Sequence, residues 1–350
     1  MTRGEPQTGV ATALADVPAS HAARRPRLGF LGVGWIGRSR LEAIAADDAA
    51  DIVAVADPSD ECVARARACA PTADAVPSLD ALLDLEPDGV VIATPSALHA
   101  SQAVRALERG VAVFCQKPLA RTAAETRTVI EAARAMDRLL GVDLSYRFAR
   151  GACRVRELVR AGELGDVYAV DLTFHNAYGP DKAWFRDPAL SGGGCVIDLG
   201  IHLVDLALWT LGWPAVQGAT SRLFAGGRPL DARPRVVEDF AVAQLDLAGG
   251  AVARLACSWN LAAGRDAVIE AVFHGTRAGA SFRNVDGSFY DFVAERFDGT
   301  SRRVLESPPD DWGGRAAVAW ARRLAHDPSF DPGAEHLVAV AAALDAVYGR

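Results

Sequence analysis

The sequence predicts two domains, a doubly wound α/β domain on a parallel sheet followed by an α+β domain with a mostly antiparallel sheet. Three observations predict it. From Arg27 to about residue 145, short apolar runs alternate with longer amphipathic stretches. A GxGxxG turn, Gly32-Val33-Gly34-Trp35-Ile36-Gly37, joins the first apolar run to the first amphipathic stretch. Beyond Gly165, strand-like runs follow one another through Gly-containing turns such as Ala248-Gly249-Gly250 and Asp286-Gly287.

In the first domain the pattern places strands at 27–32, 52–56, 89–93, 111–115 and 139–143, and helices at 35–46, 59–69, 96–109 and 122–136. In the GxGxxG turn, Gly32 allows a tight bend and Gly34 admits close approach of a phosphate. Gly37 lets the helix pack on the strand, while Trp35 and Ile36 open that helix. The helix N-terminus then turns its N–H groups and dipole toward a pyrophosphate. Asp57 ends the second apolar run, twenty residues past Gly37. Its carboxylate suits ribose hydroxyls and repels a 2′-phosphate, which favours NAD over NADP. Together these form a Rossmann dinucleotide fingerprint. Two more strands end in Thr94-Pro95-Ser96 and Gln116-Lys117-Pro118, so Thr94, Pro95 and Lys117 point to the crevice beyond the sheet's carboxyl ends.

Composition narrows the function. The 350 residues suffice for two cores, and the net charge of −7, with no dense Lys/Arg stripe, argues against nucleic acid. No apolar run approaches membrane-span length. The six cysteines lack a CxxC pair and read as reduced, buried thiols of a cytoplasmic protein. Residues 1–26 lack periodicity and a signal-type apolar core, which predicts a disordered tail ahead of domains at 27–145 and 146–350.

In the second domain, helical patterns fall at 149–161, 196–211, 313–325 and 334–348. Strand patterns fall at 166–175, 216–224, 236–247, 251–260, 267–274, 279–284 and 288–294. The helix 196–211 follows a flexible Gly192-Gly193-Gly194 run and carries Asp198, His202 and Asp205 at i, i+4 and i+7, on one face. Facing a cleft, His202 is a candidate general base, with Asp198 beside it favouring the imidazolium. The same stripe also fits a solvent face, an interface or a satisfied core histidine. Cys195, Asp198 and His202 would make a metal site only with a further ligand, so no metal is expected. Lys117 can hydrogen-bond a substrate hydroxyl and stabilise an alkoxide. The loop with His175, Tyr178, Asp181, Lys182, Trp184 and Arg186 suits a polyhydroxylated ring or an oligomer contact. Tyr178, Trp184 and Arg147 are the substrate candidates outside the helix.

The pieces in this order resemble the Gfo/Idh/MocA family (glucose-fructose oxidoreductase, inositol dehydrogenase and rhizopine catabolism). The resemblance rests on GVGWIG, Asp57, Ala93-Thr94-Pro95-Ser96 with His99, Cys115-Gln116-Lys117-Pro118-Leu119-Ala120, Tyr146-Arg147-Phe148 and GGGCVIDLGIHLVD. It implies an NAD(P)-binding Rossmann domain and an open antiparallel sheet that mediates homodimers or homotetramers. It adds His99 and Gln116 to the cofactor-facing residues, makes Lys117, Asp198 and His202 catalytic, and implies a cis Lys117–Pro118 bond. The implied activity is NAD-dependent oxidation of a secondary ring hydroxyl of a sugar, cyclitol or aminosugar. One departure stands out: the family's usual Glu-Lys-Pro is Gln116-Lys117-Pro118 here, and an amide cannot neutralise Lys117 as a carboxylate would. A catalytically silent NAD sensor and an NADPH-dependent reductase of a non-sugar substrate are the alternatives.

Overall fold

The computed structural model of the chain describes residues 24–230 and 236–350; the tail expected at 1–26 lies outside the described residues up to residue 23. Six parallel strands form the first sheet: β1 (Arg27–Leu31), β2 (Asp51–Ala56), β3 (Asp74–Ala75), β4 (Gly89–Ile92), β5 (Ala112–Cys115) and β6 (Leu140–Val142). Their order is β3-β2-β1-β4-β5-β6, which reverses direction between β1 and β4 and opens a crevice at their carboxyl ends. β4 and β5 are buried along their whole length, hence their unbroken apolar sequences. Helices α1 (Trp35–Ala46), α2 (Asp60–Cys69), α3 (Leu79–Leu83), α4 (Ser96–Glu108) and α5 (Ala123–Ala135) connect them. β3 and α3 went unread because elements this short leave no periodicity.

The second sheet has nine strands in the order β15-β14-β13-β12-β7-β11-β10-β8-β9. They are β7 (Val167–Asn176), β8 (Val216–Ala225), β9 (Arg228–Pro229), β10 (Phe240–Leu247), β11 (Val252–Ser258), β12 (Ala267–Gly275), β13 (Gly279–Asn284), β14 (Phe292–Asp298) and β15 (Ser301–Glu306). Only the β7–β11 pair is parallel among the described pairings. Alternate residues such as Val170, Leu172 and Phe174 are buried on one face, against α6 (Arg150–Arg160), α8 (Ile201–Leu211) and α10 (His336–Tyr348). A short helix, α7 (Pro188–Ser191), precedes the segment leading into α8. β15 escaped the sequence reading because Ser301–Val304 is exposed throughout and shows no apolar alternation.

Three expectations need correction. Helix α9 (Arg315–His326), assigned with the second domain, returns to the first: Trp320 meets Phe114 at 5.6 Å within the core containing Leu28 and Phe30. Its apolar stripe Ala316, Ala317, Trp320, Ala321 and Leu324 covers one face of the parallel sheet. Second, the segment Pro188–Leu211 holds an 18-residue window apolar enough to cross a membrane (mean hydropathy 1.6), yet 78% of that window is buried in the protein. A helix apolar all round belongs in a core when its neighbours cover it. Third, all six cysteines are free thiols, but Cys69 is exposed; Cys115, Cys195 and Cys257 are the buried ones.

Candidate active site

The crevice at the β1–β4 switch is shaped by the glycine turn. Gly32 has φ +84°, and a Cβ there would lie 2.6 Å from the Ala93 carbonyl oxygen; a Cβ on Gly37 would collide with the Gly32 carbonyl. Gly34 faces open space. Helix α1 starts with no side-chain cap and no acid in its first turn, and α4, entered through Pro95, is the same. By contrast Ser59, Ser78 and Thr122 cap α2, α3 and α5. Among the described residues no side chain caps these two helix N-termini, which point toward the crevice where a pyrophosphate fits. Asp57 is fixed beside the turn, its Oδ2 accepting from Val33 N at 2.8 Å and its Oδ1 from Ser59 N at 2.9 Å. Trp35 is exposed, Ile36 is half-buried, and Thr94 Oγ1 donates to Gln102 Oε1 at 2.6 Å.

Two residues expected to face the cofactor have other tasks. His99 is buried, with Nδ1 2.7 Å from the Pro118 carbonyl oxygen and Nε2 2.7 Å from that of Thr94. A carbonyl oxygen lies against each ring nitrogen, and the neutral ring donates to one of them, so buried His99 braces the two strand-end loops. Gln116 is also buried, and its amide donates to Asp143 Oδ2 at 2.5 Å. Asp143 further accepts from Arg40 Nε at 2.6 Å and from Ser145 Oγ. The amide at 116 therefore serves a buried Arg40–Asp143 ion pair, where a second carboxylate would be repelled. Arg40 shares the apolar stripe of α1 with Gly37, Leu41 and Ile44, a placement visible in the sequence and passed over.

Lys117 follows β5 and its bond to Pro118 is cis. Its ammonium donates to Asp198 Oδ1 at 2.6 Å and to the Asp198 carbonyl at 2.7 Å. Residues Val196–Gly200 form a π-helical turn ahead of α8, with the Ile201 N–H reaching back to the Val196 carbonyl. The expected stripe thus runs through two helix types, Asp198 lying in the π-turn and His202 and Asp205 in α8. Asp205 is buried and forms a two-point ion pair with Arg147, whose guanidinium lies over Trp213 at 5.0 Å. Burial raises the Asp205 pKa and Arg147 opposes the rise. Arg147, expected to bind substrate, neutralises a buried acid.

His202 sits edge-on to Tyr146, with ring centroids 5.1 Å apart. Its Nδ1 is buried with no hydrogen-bond partner among the described residues. Burial first, then the charges of Lys117 and Arg40, hold its pKa well below 6.5. The expected support of an imidazolium by Asp198 is thereby corrected. Asp198 is engaged by Lys117 through Oδ1 and by Trp259, whose Nε1–H donates to Oδ2 at 3.0 Å. The surroundings of His202 instead favour the neutral imidazole.

The glycine run expected to be flexible is closely packed. Gly192 adopts φ +85°, a Cβ on Gly193 would strike the Tyr348 hydroxyl, and one on Gly194 would strike the Glu238 backbone. The buried Glu238 carboxylate accepts from Gly194 N and Val196 N, each at 2.9 Å, and from Tyr348 OH at 2.7 Å. Cys195 Sγ donates to the Cys257 carbonyl at 3.4 Å, toward β11, whereas Asp198 reaches Lys117. In the loop, Tyr178 OH donates to Asp266 Oδ1 at 2.6 Å, and His175 Nδ1 lies 2.8 Å from Ser258 Oγ. Lys182 pairs with Asp181 at 3.2 Å, and Arg186 is exposed. Trp184 stacks on Phe185 at 3.8 Å, and Phe185 meets Trp259 edge-on at 6.3 Å.

Comparison with known proteins agrees with this architecture. Residues 27–144 match the family model described as "Oxidoreductase family, NAD-binding Rossmann fold", and residues 153–281 match the "GFO/IDH/MocA C-terminal domain". The chain is 31% identical over 210 residues to D-glucoside 3-dehydrogenase of Escherichia coli (strain K12), covering 57% of this chain and 60% of that protein. It is 31% identical over 189 residues to inositol 2-dehydrogenase of Rhizobium meliloti (strain 1021), covering 53% and 55%. These alignments span little more than half the length of the relatives. The structure of GenD2 from gentamicin A biosynthesis, in complex with NAD, superposes with TM-score 0.77 at 26% identity, covering 95% of this chain and 96% of that one. With both halves of the family pattern matched in order, on a six-stranded parallel sheet followed by a nine-stranded mixed one, the chain belongs to the Gfo/Idh/MocA family of oxidoreductases.

Proposed function

We propose that the chain is an NAD-dependent dehydrogenase that oxidises a secondary ring hydroxyl of a sugar, cyclitol or aminosugar, with His202 as general base. The observation that carries this reading is the Lys117–Asp198 ion pair, sharing one catalytic segment with a neutral His202 beyond the carboxyl edge of β5. The uncapped N-termini of α1 and α4 would hold the pyrophosphate, and Asp57 the adenosine ribose; its charge disfavours a 2′-phosphate. When bound, NAD supplies the hydride acceptor. His202, kept neutral by burial and by two nearby cations, accepts the hydroxyl proton without first having to lose one. Lys117 has three N–H bonds, two of them directed at Asp198. The third has no acceptor among the described residues and can donate to the substrate oxygen as negative charge develops there. Tyr178 and Trp184, in the loop beside the catalytic segment, supply aromatic faces for a ring substrate.

Two further proposals join this reading. Copies of the chain associate through the outer face of the nine-stranded sheet, supported by the exposed Val242 and Val304 on that face. A reducing, cytoplasmic setting suits six free thiols.

The test follows NADH absorbance against inositols, hexoses, sugar nucleotides and aminoglycosides, with NAD and NADP in parallel. A hit with NAD, lost by about two or more orders of magnitude in His202→Ala while NAD still binds, supports the reading. Near wild-type turnover in His202→Ala overturns the assignment of the base. Tight NAD binding with no turnover across the panel favours a sensor, and a strict need for NADPH favours a reductase.

A further inference from the structure

We propose that Trp259 is a positioning residue for the catalytic pair: its indole N–H locks the Asp198 carboxylate so that Asp198 can present the Lys117 ammonium to substrate. The inference rests on the dehydrogenase reading above and names a residue that motif reading passed over.

The argument starts from what Lys117 lacks. Its side chain is long and flexible, and both contacts found for its ammonium are to one residue, Asp198. Its direction is therefore as well defined as that of Asp198 and no better. A carboxylate held only through Oδ1 can rotate about its own bonds and carry the ammonium with it. Trp259 removes that freedom by donating to the other oxygen, Oδ2, at 3.0 Å.

Trp259 is itself well fixed. It follows β11, is 3% exposed, and its backbone N–H donates to the Asp239 carbonyl at 2.7 Å. Phe185 meets the indole edge-on, at 89° between ring planes, and Trp184 stacks on Phe185. An indole has two side-chain torsions and is packed here on a rigid sheet, so little ordering entropy remains to be lost when substrate arrives. A buried indole N–H also needs an acceptor, and a carboxylate is a strong one. The bond therefore serves both partners, and it places the substrate loop, through Phe185, directly behind the catalytic acid.

The test compares Trp259→Phe with Trp259→His, each in the wild-type and Asp198→Ala backgrounds. Phenylalanine keeps more of the packing but has no donor. Histidine packs less well, but its ring N–H can stand near the place of the indole N–H. Trp259→Phe should lower kcat by about tenfold to a hundredfold with NAD affinity unchanged, and Trp259→His should retain more activity than Trp259→Phe. In the Asp198→Ala background, Trp259→Phe should cost less than about twofold, because the residue it acts through is gone. Equal loss in the two Trp259 variants, or the same loss in both backgrounds, overturns the proposal and leaves Trp259 a packing residue.

A second measurement does not depend on turnover. The Trp259 indole N–H resonance, assigned by its absence in Trp259→Phe, should move upfield in Asp198→Ala. An unmoved resonance overturns the proposal even in an active enzyme. A resonance that moves in a protein without turnover upholds the hydrogen bond and overturns the dehydrogenase reading alone.

Discussion

Replacing Lys117 by methionine separates the two tasks the structure gives it. Methionine keeps most of the length of the side chain and removes the charge 2.6 Å from Asp198. The first consequence is the loss of a donor to the developing alkoxide. Removing one such donor costs about 10²–10³ in kcat, or about 2.7–4 kcal/mol of transition-state stabilisation. The second is electrostatic. Burial, Lys117 and Arg40 together hold His202 well below 6.5, and Lys117 is the larger of the two charge contributions. Without it, the repulsion that disfavours the imidazolium falls, and Asp198 loses its neutralising partner, which favours the imidazolium further. Both changes raise the His202 pKa. Since a general base must be neutral to act, the acidic limb of kcat/KM moves to higher pH in Lys117→Met. The assay is the pH dependence of kcat/KM by NADH absorbance, with the His202 ring-proton titration followed by NMR. A rate loss alone would leave the argument undecided. A limb that stays in place, or moves to lower pH, would refute the electrostatic coupling of Lys117 to His202.

Three other outcomes are expected. Asp57→Ala should raise the KM for NAD by about tenfold or more and narrow the preference over NADP, as the loss of hydrogen bonds to a charged acceptor requires; an unchanged cofactor ratio would remove Asp57 from the ribose site. Arg147→Ala should lower stability by about 3 kcal/mol in urea denaturation, because it leaves the buried Asp205 carboxylate unpaired. A raised sugar KM at unchanged stability would restore Arg147 to the substrate site. Acid should destabilise the fold: His99 and His202 both have pKa values lowered from 6.5, so below that value the unfolded chain binds protons that the folded chain refuses. Unfolding free energy should then fall as the pH drops through about 6.5, by at most about 1.4 kcal/mol per pH unit for each histidine, with a shallower slope in His202→Asn. An identical slope in that variant would contradict the lowered pKa of His202.

The sequence by itself determined the features that live within one short stretch. The glycine turn, the acid ending β2, the lysine ending β5 and the order of apolar runs each follow from local backbone geometry and side-chain periodicity. That was enough for the two-domain plan, the dinucleotide crevice and the place of Lys117. The tertiary structure decided what depends on residues far apart in the chain. Trp259 reaches Asp198 across 61 positions, Arg40 reaches Asp143 across 103, and Gly194 receives Glu238 from 44 positions away. It also decided that α9 covers the first sheet, since an amphipathic stripe states that a face is buried and not which sheet buries it. The π-turn at Val196–Gly200 was hidden for another reason. A shift of one residue in a helix's hydrogen-bond pattern leaves hydrophobicity unchanged, and no pattern along the chain reports that Asp198 pairs with Lys117 and Asp205 with Arg147. Local sequence chose the chemical groups, and long-range packing set which of them meet, because a pairwise contact depends on distance in space and a sequence pattern reports only distance along the chain.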